Sequence, residues 1–127
     1  MRNIIIMLSL ALILSNYAYS EIIQKSGKIL ECNFPSYSDQ SGAKNSSSFS
    51  FKIFIDEITK SAYLIGNAGS SPLEMVDYED KINLIEITPS KNITITTVLN
   101  DGTAVHSRQT VMSSGEIYPS QYYGRCK

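Results

Sequence analysis

The chain has 127 residues, with 11 basic and 12 acidic side chains, a formal net charge of −1, and 43% hydrophobic residues. The two signs are interspersed, and no window carries the basic stripe that displaces counterions from phosphates, which argues against nucleic-acid binding. Two distant cysteines, Cys32 and Cys126, and a single histidine lack the paired spacing of a zinc site.

At the N-terminus one positive charge, Arg2, precedes an apolar run from Ile4 to Leu14 broken only by Ser9. A membrane-spanning helix needs roughly 20 apolar residues, whereas the core of a secretory signal needs about 7–15. The small residues of Ala18-Tyr19-Ser20 follow where a signal peptidase would cut. The expectation is a signal peptide over residues 1–20 and one domain over residues 21–127, secreted or periplasmic. No cysteine stands at the cleavage point to take a lipid, so the mature chain is expected to leave the membrane. An even cysteine count in an exported chain predicts a Cys32–Cys126 disulfide tying together the ends of the domain.

A first strand is expected around Ile29 to Phe34, followed by a Ser-rich loop from Pro35 to Ser48. Phe49, Phe51, Ile53 and Ile55 then alternate with Ser50, Lys52 and Asp56, the period of a half-buried strand. Further strands are expected over Ser61 to Ile65, Leu73 to Tyr78, Ile82 to Thr88, Ile93 to Leu99, Thr103 to Met112 and Glu116 to Tyr123. Breaks such as Gly66 to Pro72 and Asn100-Asp101-Gly102 separate them. From Ile82 and Leu84 to Ile85 and Ile87 the apolar phase shifts, which a β-bulge or burial of both faces would explain.

The sum is an all-β domain: a small antiparallel meander of about eight strands with short connections and no helix. Closure into a lipocalin-like barrel is preferred to a two-layer sandwich, because the connections after Ser48 are too short for Greek-key crossings.

No catalytic, metal or cofactor site is expected. In a strand His106 and Ser107 point to opposite faces, so they cannot form a nucleophile–base pair, whereas His106 and Arg108 share a face. His106 reads as a polar residue on the outer surface or at a barrel rim. Glu74, Asp77, Glu79 and Asp80 fit no calcium-loop frame. The most distinctive stretch is the C-terminal one, where three of the chain's eight tyrosines, Tyr118, Tyr122 and Tyr123, accompany Arg125. These four are the candidate binding residues, as a recognition surface or as a cover for the end of a barrel.

The sequence Pro119-Ser120-Gln121-Tyr122-Tyr123-Gly124-Arg125-Cys126, preceded by Ser107-Arg108, resembles the ending of small secreted proteins of bacteria and phages that are uncharacterised. The resemblance implies export and a paired C-terminal cysteine, and no activity. In architecture alone the chain is similar to small periplasmic β-barrel inhibitors of lysozyme, without a match to their inhibitory loop. The leading expectation is therefore a non-enzymatic module with a protein partner, inhibitor-like, contacting it at loops or at the tyrosine-rich end. The alternatives are a carrier of a small apolar ligand inside the barrel and an enzyme resting on His106, Arg108 or the acidic cluster.

Overall fold

The computed structural model describes residues 27–66 and 69–127; the expected signal peptide and the first residues of the mature chain lie outside them. Nine strands occur among the described residues: β1 (Gly27–Asp39), β2 (Gly42–Lys44), β3 (Phe49–Asp56), β4 (Ser61–Gly66), β5 (Gly69–Tyr78), β6 (Lys81–Ile87), β7 (Ile93–Leu99), β8 (Thr103–Val111) and β9 (Ile117–Cys126). From β3 onward each strand pairs antiparallel with the next, and β1 pairs with both β3 and β9. Eight strands thus close into an up-and-down barrel with no free edge along that circuit. The short β2 is an addition, paired only with Tyr37–Asp39 of β1.

Alternation explains the wall. In β1, Leu30, Cys32 and Phe34 are buried, while Ile29, Glu31 and Asn33 face out; in β3, Ile53 and Ile55 are buried and Lys52 is exposed. Phe34, Ile53, Leu84 and Cys32 are fully buried and plug the bore at mid-height, with Leu30, Ile55, Ala62, Val98, Ala104 and Cys126 around them. Tight turns fix the register. The Asp56 carboxylate accepts the Ile58 amide at 3.0 Å and the Thr59 amide at 3.3 Å to shape the β3–β4 turn, and Gly102 adopts φ +91° in the β7–β8 turn.

Closure occurs where β1 meets β9. Cys32 and Cys126 lie directly opposite each other and form the disulfide. Beyond them β1 carries one more residue than β9, since Asn33 pairs with Arg125 but Ser36 with Tyr123. This bulge moves the inward phase of β1 from Phe34 to Tyr37.

Three expectations need correction. The segment from Pro35 to Ser48 is not simply a loop: β1 continues to Asp39 and turns back as β2, because a ladder of backbone hydrogen bonds does not require apolar side chains. Pro72, placed in a break, lies inside β5 opposite Tyr63. Finally, β6 has neither a bulge nor two buried faces. Its register is continuous with both neighbours from Lys81 to Ile85, Ile87 is 61% exposed, and the inward position between Ile85 and Ile87 is taken by Glu86.

Gly27 of β1 and Lys127 share one rim of the barrel with the β3–β4, β5–β6 and β7–β8 turns. The other rim, the mouth, lies at the Gly66 end of β4, the Gly69 end of β5, and the β6–β7 and β8–β9 turns.

Candidate functional site: a cavity at the barrel mouth

Two rows of inward side chains run around the bore from the core towards the mouth. The deeper row crosses neighbouring strands as Leu84, Thr96, His106, Tyr122 and Tyr37. The row nearer the mouth runs Glu86, Thr94, Arg108, Ser120 and Asp39. Apolar residues fill the interior below, but these two rows are largely polar and aromatic. In β7 the usual pattern is inverted: Thr94 and Thr96 are buried, while Ile93 and Ile95 are 51% and 40% exposed.

His106 is the floor of this region. It is only 4% exposed, which corrects its expected place on the outer surface or rim. The rings of Phe49 and Phe51 lie with centroids 5.2 Å from the imidazole, and Phe34 at 6.0 Å. The Thr96 hydroxyl meets Nδ1 at 2.8 Å. Burial, and secondarily the charge of Arg108, push the imidazole down from 6.5 to about 4, so it is neutral at neutral pH. Thr96 is as buried as the ring it meets, and Ser107 pairs with Ile95 on the outer face, so neither hydroxyl makes an accessible nucleophile–base pair with His106.

Arg108 stands above the histidine on the same face of β8. Its guanidinium donates to the Tyr122 hydroxyl at 2.8 Å and lies 5.0 Å from the centroid of that ring and 5.2 Å from that of Phe49. Tyr122 is held in turn by stacking on Tyr37, centroids 5.2 Å apart. The ion pairs among the described residues, Lys52–Glu31 and Lys60–Asp77, involve neither Arg108 nor Glu86. Asp39, the other carboxylate of the upper row, is committed to its own turn. It accepts the Ser41 hydroxyl at 2.6 Å and the Ser41 amide at 2.9 Å, which hold it below the usual carboxylate range.

Between these groups lies a cavity of about 430 Å³, lined by Phe49, Phe51, Leu64, Glu86, Thr94, His106 and Arg108 and by Thr88, Ser90 and Asn92 at the β6–β7 turn. Behind Arg108 is a second hollow of about 450 Å³ among Tyr37, Asp39, Tyr118, Ser120 and Tyr122. Arg108 is the partition between the two.

The four residues singled out from the sequence are divided by the alternation of β9. Tyr122 and Tyr118 take the inward face, Tyr122 in the site and Tyr118 at the rim, where its hydroxyl donates to Glu116 at 2.6 Å. Tyr123 and Arg125 take the outer face, Tyr123 bonded to Ser38 and Gln121 at 3.0 Å each, and Arg125 donating to the Asp101 carbonyl. The acidic residues of β5 are likewise separated, with Glu74 opposite Ile85 and Asp77 bound to Lys60 at 3.6 Å. No group of three or more metal-ligating side chains occurs among the described residues.

Sequence reasoning did not find Glu86, Thr94, Thr96, Phe49 or Phe51 as site residues. The available signal was Glu86 itself, a charge inside the apolar run of β6, together with the Thr94/Thr96 alternation in β7. No family model, curated protein or solved structure matches the chain, so the reading of the site rests on its own residues.

Proposed function

We propose that this protein is a non-enzymatic binding protein that holds a small organic anion with an apolar body in the mouth of its barrel. The observation that carries this reading is Arg108, a half-buried cation positioned by Tyr122 and Phe49 on a cavity wall, without a carboxylate at ion-pair distance among the described residues. A guanidinium presents a planar fork of donors to a carboxylate, and the low dielectric beside the rings strengthens that bond. Phe49, Phe51 and Leu64 supply the apolar wall, and the volume is within the range of small-molecule pockets, about 300–1,000 Å³. A ligand with a charged head suits these residues better than a purely apolar one. A protein-contact reading has less support, since Tyr118, Tyr122, Tyr123 and Arg125 do not share one surface.

The buried Cys32–Cys126 disulfide fits an oxidising compartment. Together with the N-terminal apolar run it supports export to the periplasm or the cell exterior.

Titration calorimetry with phenylpropanoate and with its uncharged amide tests the assignment. The acid is expected to bind at least tenfold more tightly, and Arg108→Gln to abolish that preference. Equal binding of acid and amide, or no binding of either, would overturn it.

A further inference from the structure

Arg108 is not alone in having no ion-pair partner among the described residues. Glu86 lines the same cavity from β6, two strands away in the same row, with Thr94 between them. Neighbouring strands lie about 4.8 Å apart, so the two Cα atoms are separated by roughly 10 Å along the wall. The guanidinium leans away from Glu86, over Phe49 and Tyr122, and Asp39 is occupied by Ser41. Two opposite charges thus face one cavity without neutralising each other, with the threonine hydroxyl of residue 94 and the polar β6–β7 turn between them and the aromatic rings beneath.

The two charges are placed to receive a ligand that carries both complements. Both side chains are partly buried, and neither takes part in an ion pair among the described residues. A monoanion satisfies only the arginine and leaves the carboxylate without a counter-charge. A ligand with its own cation and anion at opposite ends satisfies both.

We infer that the ligand is a short zwitterionic peptide, of dipeptide size, with its carboxylate on Arg108, its ammonium group on Glu86 and an apolar side chain against Phe49 and Phe51. The inference rests on the anion-binding role of Arg108 and adds the second end of the ligand. A free dipeptide carries its cation and its anion at opposite ends, separated by a peptide unit. That unit has donors and acceptors for Thr94, Ser90 and Asn92. His106, neutral at the floor, adds no competing charge at neutral pH. No chemistry is required of the site; it binds.

The test uses the disulfide-bonded protein and three probes at neutral pH: glycyl-phenylalanine, its N-acetyl derivative and its C-terminal amide. Titration calorimetry is expected to show the free dipeptide binding at least tenfold more tightly than either blocked form. Glu86→Gln should erase the difference between the free and acetylated peptides, and Arg108→Gln the difference between the free peptide and the amide. Both changes lie at the cavity wall, and thermal melting confirms that the variants are folded. If the acetylated peptide binds as tightly as the free one, the zwitterion inference fails while the organic-anion reading stands. If phenylpropanoate binds and the dipeptide does not, the inference likewise fails alone. If no probe binds, both fall together.

Discussion

Gly124 of β9 lies so close to Asn33 of β1 that a Cβ added to it would be 2.8 Å from the Asn33 carbonyl carbon and nearer still to its oxygen. The same atom would sit 2.8 Å from the Phe34 Cα. This contact occurs where the bulge in β1 lets the two strands cross, and backbone atoms cannot yield as a flexible side chain can. Gly124→Ala is therefore expected to destabilise the domain by about 3 kcal/mol or more, read as a lower urea midpoint. Gly66→Ala, where the nearest atom is 3.9 Å away, is the control and should change stability by less than about 1 kcal/mol. Near-equal midpoints for the two variants would show that β1 and β9 do not approach as described.

Replacing both cysteines by alanine opens a loop of 94 residues and removes buried sulfur from the core. The loop-entropy model assigns about 4–5 kcal/mol to such a cross-link. For a domain of about this size each kcal/mol lowers the melting temperature by roughly 4 °C or more. Differential scanning calorimetry of the double variant should show a drop of this order, and a drop of a few degrees would mean that the β1–β9 ladder alone sustains closure.

His106 titrates at about 4 in the folded chain and at 6.5 when exposed. Between these values the unfolded chain binds the proton more readily, so stability rises with pH across that window and is lost as pH falls from 6.5 towards 4. The gap corresponds to about 3 kcal/mol. In His106→Gln this contribution to the slope disappears, while that of the carboxylates remains. Urea unfolding of both proteins at a series of pH values between 4 and 7 checks the point; parallel curves would show that the imidazole is not desolvated.

Tyr122→Phe keeps the stack on Tyr37 and removes the hydroxyl that holds the Arg108 guanidinium at 2.8 Å. Stability should fall by about 1 kcal/mol, the usual net worth of one hydrogen bond. Binding of phenylpropanoate should weaken several-fold through lost positioning, with the preference for acid over amide retained. A complete loss of that preference would mean that Tyr122, and not Arg108, is the group that reads the carboxylate.

The meander, its closure and its disulfide were legible because each has a local signal. Asn100-Asp101-Gly102 announces a hairpin, the Phe49 to Ile55 alternation a half-buried strand, and two cysteines near the ends a clasp. The site was not legible, because apolar alternation gives a strand two faces without saying which one is inside. Ile93 and Ile95 suggest the wrong face of β7, and only pairing with β6 and β8 turns Thr94 and Thr96 inward. The apparent phase slip in β6 is a charge pointing into the bore, a pattern that a local reading mistakes for a bulge. His106 was assigned outward for the same reason: polarity usually marks the wet face, but here the interior itself is polar.

At the rim opposite the cavity, the amide and carbonyl of Glu31 exchange two hydrogen bonds of 2.9 Å with Lys127, so Lys127 is tied into the barrel wall beside β1. A tag attached after Lys127 therefore leaves from the base and not from the mouth. Immobilised by a C-terminal tag, the barrel would stand with Arg108 and Glu86 facing the bulk solution. Gly27 lies at the same rim, so the described barrel suits circular permutation, with a linker of a few residues from Lys127 to Gly27 and new ends cut at the exposed β8–β9 turn around Ser114.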